Sequence, residues 1–316
     1  MISENIKVFC RPKPTSSPCD VFEWVDTSSC KCKIKNKEYS FNYDKVFPPQ
    51  CSQEEIFLEI AKPIVDSVCR GYSGTIFAYG PTNSGKTYSM RGPNDGNDRG
   101  IIPRCIEQIS NTIGNAGTIY VSYLQIYCEM ITDLMIDPET AYMTPLSIRE
   151  RDGVVFVEGL SRFKVSSVQD IYEILSKGDE YRITASTNMN ETSSRSHAAI
   201  MITIAMDEPS VKEPVKKIRE SSLVLVDLAG SERVTATQGQ NYMRFEESKA
   251  INLSLSALGN CISSLSEGKA HIPYRDAKLT RLLQGSLGGS SRTSVLINIP
   301  PGSTHLSDSK YNHYPR

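Results

Sequence analysis

Eight consecutive residues, Gly80, Pro81, Thr82, Asn83, Ser84, Gly85, Lys86 and Thr87, match the spacing GxxxxGK[ST] in full. A polyphosphate packs several negative charges into a small volume, so it needs many donors at short range. Glycines let backbone N–H groups turn inward around it, and the start of a following helix adds roughly half a positive charge. In such a loop Lys86 neutralises the β- and γ-phosphates, and the Thr87 hydroxyl ligates Mg²⁺. Asn83 falls where the backbone needs a positive φ, which asparagine tolerates better than any residue except glycine. The pattern implies a nucleoside triphosphate with Mg²⁺. It does not choose the base, and no NKxD follows that would read guanine.

Two downstream segments have the chemistry to sense a terminal phosphate. Residues 190–197, NETSSRSH, crowd hydroxyls around Arg195. Residues 227–232, DLAGSE, follow the apolar run Leu223–Val226, which sets Asp227 at a strand end as a metal acid. A serine-rich loop alone is usually only a loop, and DxxG is common. In order and spacing, however, GxxxxGKT, NxxSSRSH and DLAGSE resemble the phosphate loop, switch I and switch II of the kinesin superfamily.

Further segments extend this resemblance over most of the chain. Ile6–Pro14 resembles the first strand and adenine pocket, and Ile183–His197 the helix leading into switch I. Lys249–Asn260 (KAINLSLSALGN) resembles the long relay helix, and His271–Leu283 and Ser286–Thr293 the segments after it. The resemblance implies an α/β P-loop NTPase of kinesin motor type, a central mixed sheet with helices on both faces. It implies ATP and Mg²⁺ as ligands and microtubules as partner.

The roles follow residue by residue. Ser193 and Ser194 contact the γ-phosphate and the Mg²⁺ shell, Asp227 holds Mg²⁺ through water, and the Gly230 N–H senses the γ-phosphate. Arg195 and Glu232 pair on closure, positioning the attacking water, and Glu232 takes its proton through a second water. The family's adenine pocket reads RxRP. Here Arg11, Lys13 and Pro14 occupy it, with Tyr88 able to stack on the base. Lysine lacks the planar face of arginine, so looser base selectivity is expected. Lys249, Arg275, Lys278 and Arg281 match the family's track-binding cations, and Lys278 and Arg281 share a helix face. Residues 234–242, VTATQGQNY, lack any lysine or arginine, which implies weak and salt-sensitive track binding.

The elements that must position these residues are legible from periodicity. Ile6–Cys10, Thr75–Tyr79, Ala198–Met206, Ser222–Leu228 and Ser294–Ile299 are apolar, β-rich runs suited to strands, and Thr118–Leu134 is mostly extended. Glu54–Cys69 has a helical stripe that Pro63 should bend. Gly100–Ile113, Val168–Thr184 and Phe245–Leu265 are also helical, the last ended by Gly268. Strands and helices alternate, as in an α/β fold. No repeat, low-complexity tract or sustained heptad interrupts them.

Composition sets the remaining bounds. The chain has 316 residues, 39% hydrophobic and 22% charged, enough to bury a large core without disulfides. Its net charge of −1 argues against nucleic acid and requires any acidic partner to meet a local basic patch. Nine cysteines without CxxC spacing read as free thiols of a cytosolic chain, and Cys30 and Cys32 lack a histidine for zinc. No apolar run approaches the roughly 20 residues of a membrane span, and no secretory leader is visible. The cytoplasm and its microtubule cytoskeleton are the expected location. Residues 1–299 form one motor domain in this reading, and 300–316 a polar tail without closing helix, neck linker or coiled coil. Three apolar side chains left uncovered would cost roughly 1.5–3 kcal/mol each. These readings leave two functions: a microtubule-stimulated ATPase motor head, or a non-motile microtubule-binding module.

Overall fold

The apolar run Gly74–Tyr79 becomes β6, a strand buried along its whole length at the centre of a nine-stranded sheet. This computed structural model describes residues 6–14, 22–34, 37–93, 96–187, 195–208, 217–232, 242–289 and 291–300. The sheet also contains β1 (Ile6–Pro12), β5 (Lys45–Val46), β7 (Gly117–Tyr127), β8 (Met130–Asp133), β11 (Phe163–Val165), β12 (His197–Glu208), β13 (Lys217–Asp227) and β14 (Arg292–Ile299). Its order is β11-β7-β12-β13-β6-β14-β1-β5, with β8 paired to β7. From β13 to β5 the neighbours are parallel, and β12 runs antiparallel to both β13 and β7.

A parallel core must be covered on both faces, and successive residues of β6 point to opposite covers. Ile76 and Ala78 join a cluster with α1 (Gln53–Ile56), α2 (Lys62–Cys69), α4 (Ile101–Ile113) and α6 (Val168–Thr187). Phe77 and Tyr79 join the opposite cluster, under α7 (Tyr242–Ser266), α8 (Lys278–Leu282) and α9 (Gln284–Gly288). The expected mixed sheet with helices on both faces is thus realised.

The helix expected over 54–69 shows where Pro63 acts. Ser52 and Glu55 form a capping box at its start, each satisfying the other's backbone N–H. Pro63 cannot donate to the carbonyl four residues back, and its ring would crowd that carbonyl. The chain widens into a π turn at Phe57–Ala61, with Lys62 N–H donating to Phe57 O. Pro63 then lies in the first turn of α2, where it is tolerated.

Two smaller sheets sit beside this body: β2 (Phe22–Trp24) with β3 (Ser29–Ile34) and β4 (Lys37–Asn42), and the hairpin of β9 (Ser147–Arg151) with β10 (Val154–Glu158). The β7–β8 turn puts Cys128 and Glu129 at φ 48° and 59°, left-handed positions that favour glycine. Glu129 uses this turn to reach α8, where its Oε2 accepts from Lys278 N–H at 2.7 Å.

Candidate functional site

The phosphate loop leaves β6 and enters α3 (Lys86–Met90). Asn83 has φ 63°, the left-handed conformation its residue type suggested, and Gly85 has φ 98°. Gly80 passes so close to the backbone carbonyl of Asn298 that a Cβ would clash with it. Lys86 is buried, and its ammonium donates to Gly80 O and Pro81 O, each at 2.9 Å. Burial lowers its pKa, while the charges of Asp227 and Glu232 oppose that shift.

Asp227 is the last residue of β13 and pairs in register with Ala78 of β6, so the sheet itself delivers it to the loop. Its Oδ2 accepts from Thr87 Oγ1 at 2.8 Å and lies 3.7 Å from the Arg182 guanidinium. The other oxygen, Oδ1, is buried without a hydrogen-bond partner among the described residues. A buried, unsatisfied carboxylate oxygen beside a threonine hydroxyl is a hard-oxygen donor set suited to Mg²⁺. The residues present therefore fit the metal. Arg182, on α6, also donates to Ser196 Oγ at 3.3 Å and Ser196 O at 3.1 Å, fastening the residue after Arg195.

The segment after Asp227 is stitched directly to the phosphate loop. Ser231 N–H donates to Gly80 O at 3.1 Å. The Glu232 carboxylate accepts from Thr82 N–H at 2.8 Å and from the Thr82 hydroxyl. Gly230 is packed where a Cβ would meet both Glu232 oxygens and the Thr82 hydroxyl, so a side chain here would have to displace those two groups. Arg195 is half-buried just before β12. Ser193 and Ser194 lie outside the described residues.

In the expected base pocket, Arg11 turns inward. Its guanidinium donates to Gln53 Oε1 at 2.7 Å and Ser89 Oγ at 2.8 Å, and stacks on the Tyr88 ring at 5.4 Å. Asn298 Nδ2 donates to the same Ser89 hydroxyl at 2.9 Å. Gln53 donates in turn to Tyr88 O and Asp98 O. Tyr88 remains exposed, as do Lys13 and Pro14. Lys13 reaches to the loop and donates to Asn83 O at 3.0 Å. Sequence reasoning missed Arg182, Gln53, Ser89 and Asn298, because nothing local marks a polar residue whose partner is distant in sequence.

Among the expected track cations, Lys249 and Arg275 are exposed. Arg281 is mostly covered, and its guanidinium pairs with Glu150 of β9 at 2.5 Å, docking α8 to the small hairpin. Lys278 opens α8 and is half-buried. Residues 234–241 of the uncharged loop lie outside the described residues, as do 301–316 of the tail.

Similarity to known proteins extends over most of the chain. A family model described as the kinesin motor domain matches residues 15–312. The kinesin heavy chain of Botryotinia fuckeliana is 44% identical over 323 residues, covering 97% of this chain and 36% of the relative. That of Drosophila melanogaster is 43% identical over 322 residues, covering 97% of this chain and 32% of the relative. The chain thus spans about a third of the length of these curated relatives. A solved structure of a fast kinesin superposes with a TM-score of 0.85 at 41% identity, covering 98% of this chain and 91% of that one.

Proposed function

This chain belongs to the kinesin motor-domain family, and we propose that it works as a microtubule-stimulated ATPase head whose hydrolysis cycle governs its hold on the track. The observation that carries this reading is the meeting of Lys86, Thr87, Asp227 and Glu232 around one phosphate loop.

Each side chain has a task in phosphoryl transfer, where positioning and charge neutralisation do most of the work. Lys86 is held by two loop carbonyls and is the cation that would turn to the phosphates. Thr87 and Asp227 would hold Mg²⁺, with Ser194 completing its shell, and the metal supplies charge neutralisation on the phosphate oxygens. Gly230 offers its N–H to the γ-phosphate. Ser193 and Arg195 close over it, and Arg195 then pairs with Glu232. In that closed state Glu232 orients the attacking water and receives its proton through a second water. Arg11, Lys13, Pro14 and Tyr88 flank the base, and Lys249, Arg275, Lys278 and Arg281 face the acidic track. The microtubule cytoskeleton of the cytoplasm would be its place of work. The non-motile module is disfavoured, because a binding module has no need of an assembled hydrolytic site.

Phosphate release measured with and without microtubules tests the proposal. Stimulation of at least about tenfold, abolished by Glu232→Ala, is the expected result. A rate indifferent to microtubules would overturn it.

A further inference from the structure

We propose that His197 is a positioning residue that ties switch II to helix α7 through the two nitrogens of one imidazole, so that motion at Ala229 is delivered to Ser254. The inference rests on the ATPase reading above and adds a coupling element that the hydrolytic site does not itself contain.

The argument starts on α7. Its buried stripe runs through Ile251, Leu255 and Leu258, and helical spacing puts Ser254 on the same face. Ser254 is only 2% exposed, so its hydroxyl must be satisfied within the protein. The hydroxyl donates to Ile251 O at 2.7 Å, which leaves its oxygen to accept. His197 Nε2 lies 2.8 Å from that oxygen.

The opposite nitrogen meets switch II. Ala229 N–H donates to His197 Nδ1 at 3.0 Å. A backbone N–H only donates, so Nδ1 carries the lone pair and the ring proton sits on Nε2. Every bond then has one direction: Ala229 N–H to Nδ1, Nε2–H to Ser254 Oγ, and the serine proton to Ile251 O. The ring stays neutral at ordinary pH, since burial, with Arg182 and Lys86 nearby, pushes its pKa down to about 3. A second ring proton would oppose the Ala229 N–H. The imidazole is a fixed link and not a protonation switch.

Its place in the chain makes the link informative. His197 is the first residue of β12, one residue after the serine held by Arg182 and opposite Ile126 of β7. Ala229 is two residues beyond the metal acid Asp227. A shift of the switch II backbone toward a γ-phosphate therefore pulls on a ring anchored in the sheet and bonded to the helix beneath the track-facing segments. An ordinary core histidine would add stability and nothing more.

Three variants separate the possibilities. Ser254→Ala keeps a helix-favouring residue and removes only the acceptor on α7. His197→Asn keeps an acceptor where Nδ1 lies and loses the reach to Ser254. His197→Gln keeps a donor where Nε2 lies and leaves Ala229 unmet. The readout is the ratio of microtubule affinities with a non-hydrolysable ATP analogue and with ADP. All three variants should reduce that ratio at least about fivefold, and Ser254→Ala should leave basal turnover and ADP affinity within about twofold. Variants that melt lower but keep the full ratio would overturn the proposal, as would retention of the ratio by either histidine variant.

A second measurement needs no track. Nitrogen NMR of the histidine ring should find the proton on Nε2, and a proton on Nδ1 would overturn the geometry. Hydrogen exchange along α7 should respond to exchanging ADP for the ATP analogue in the original chain and lose that response in Ser254→Ala. If the original chain ignores microtubules, the functional reading fails, while the exchange experiment still judges the tether.

Discussion

Glu232 is assigned to hydrolysis, yet its carboxylate is bonded to the phosphate loop, and Thr82→Ala tests what that contact does. Two donors hold the carboxylate, the Thr82 N–H at 2.8 Å and the Thr82 hydroxyl. The substitution removes the second and leaves the first. A hydrogen bond to a charged group contributes about 1.5–3 kcal/mol, and both residues here are only half-buried, so about 1 kcal/mol is the working value. That corresponds to about fivefold in the equilibrium between a held and a released carboxylate. If Glu232 must leave Thr82 before it can pair with Arg195, Thr82→Ala should raise basal phosphate release by up to about fivefold. Thr82→Ser keeps the hydroxyl and should stay within about twofold of the original chain. Single-turnover phosphate release without microtubules is the assay, beside a direct measure of ATP affinity. A slower Thr82→Ala with weakened ATP binding would refute the reasoning, because the hydroxyl would then be serving the nucleotide.

Three other outcomes are expected. His197 has a folded pKa near 3 against an ordinary value of 6.5, so its stabilising contribution is fully present above pH 6.5 and is lost as pH falls. At pH 5 the loss is about 2 kcal/mol, and urea unfolding of His197→Gln between pH 7 and 5 should have a correspondingly flatter pH dependence; equal slopes would contradict this. Arg281 is already paired with Glu150, so Arg275→Ala should weaken co-sedimentation with microtubules more than Arg281→Ala does. A double-mutant cycle of Arg281 and Glu150 in urea should give about 1 kcal/mol of coupling, and a value near zero would mean that the pair does not dock α8. Lys13 lies along the loop with no planar face for a base, so ATP and GTP should turn over at comparable rates and Lys13→Arg should restore a preference for ATP. Strict dependence on ATP in the original chain would refute that account.

The central strands were legible because their residues carry their own signal. Gly74–Tyr79 and the runs before Asp227 and Ile299 are apolar and β-branched, as strands covered on both faces must be. Asn83 announced its backbone conformation by its type, and Pro63 announced a distortion, although not that it would take the form of a π turn. The small sheets were missed for opposite reasons. Ser147–Arg151 is too charged to resemble a strand, since only one face of its hairpin packs. Ser29–Ile34 alternates Cys30 and Cys32 with lysines, a period-2 signal of a pleated strand that the cysteine pair, with its resemblance to metal ligands, obscures. At the site, the glycine loop and the aspartate at the strand end could be read from spacing, but the partners of their neighbours could not. Glu232 and Thr82 lie 150 residues apart, and the helical period that buries Ser254 says nothing of the histidine waiting for it.

The long hairpin of β12 and β13 has a consequence for which edits the chain tolerates. The strands pair from Ala198 opposite Asp227 to Glu208 opposite Lys217, about 35 Å of ladder at ~3.4 Å per residue. Arg195 and Asp227 lie at the same end of this ribbon, so its register works as a ruler that sets the segments around them against each other. One residue inserted shortly before Asp227 would turn its carboxylate to the other face of the sheet and carry Ala229 away from His197. One residue inserted after Glu208, at the opposite end of the ladder, leaves the pairing of Ala198 with Asp227 unchanged. A library of single-residue insertions along the two strands should therefore show a gradient of survival, lethal at the ruler's zero and permissive at its far mark.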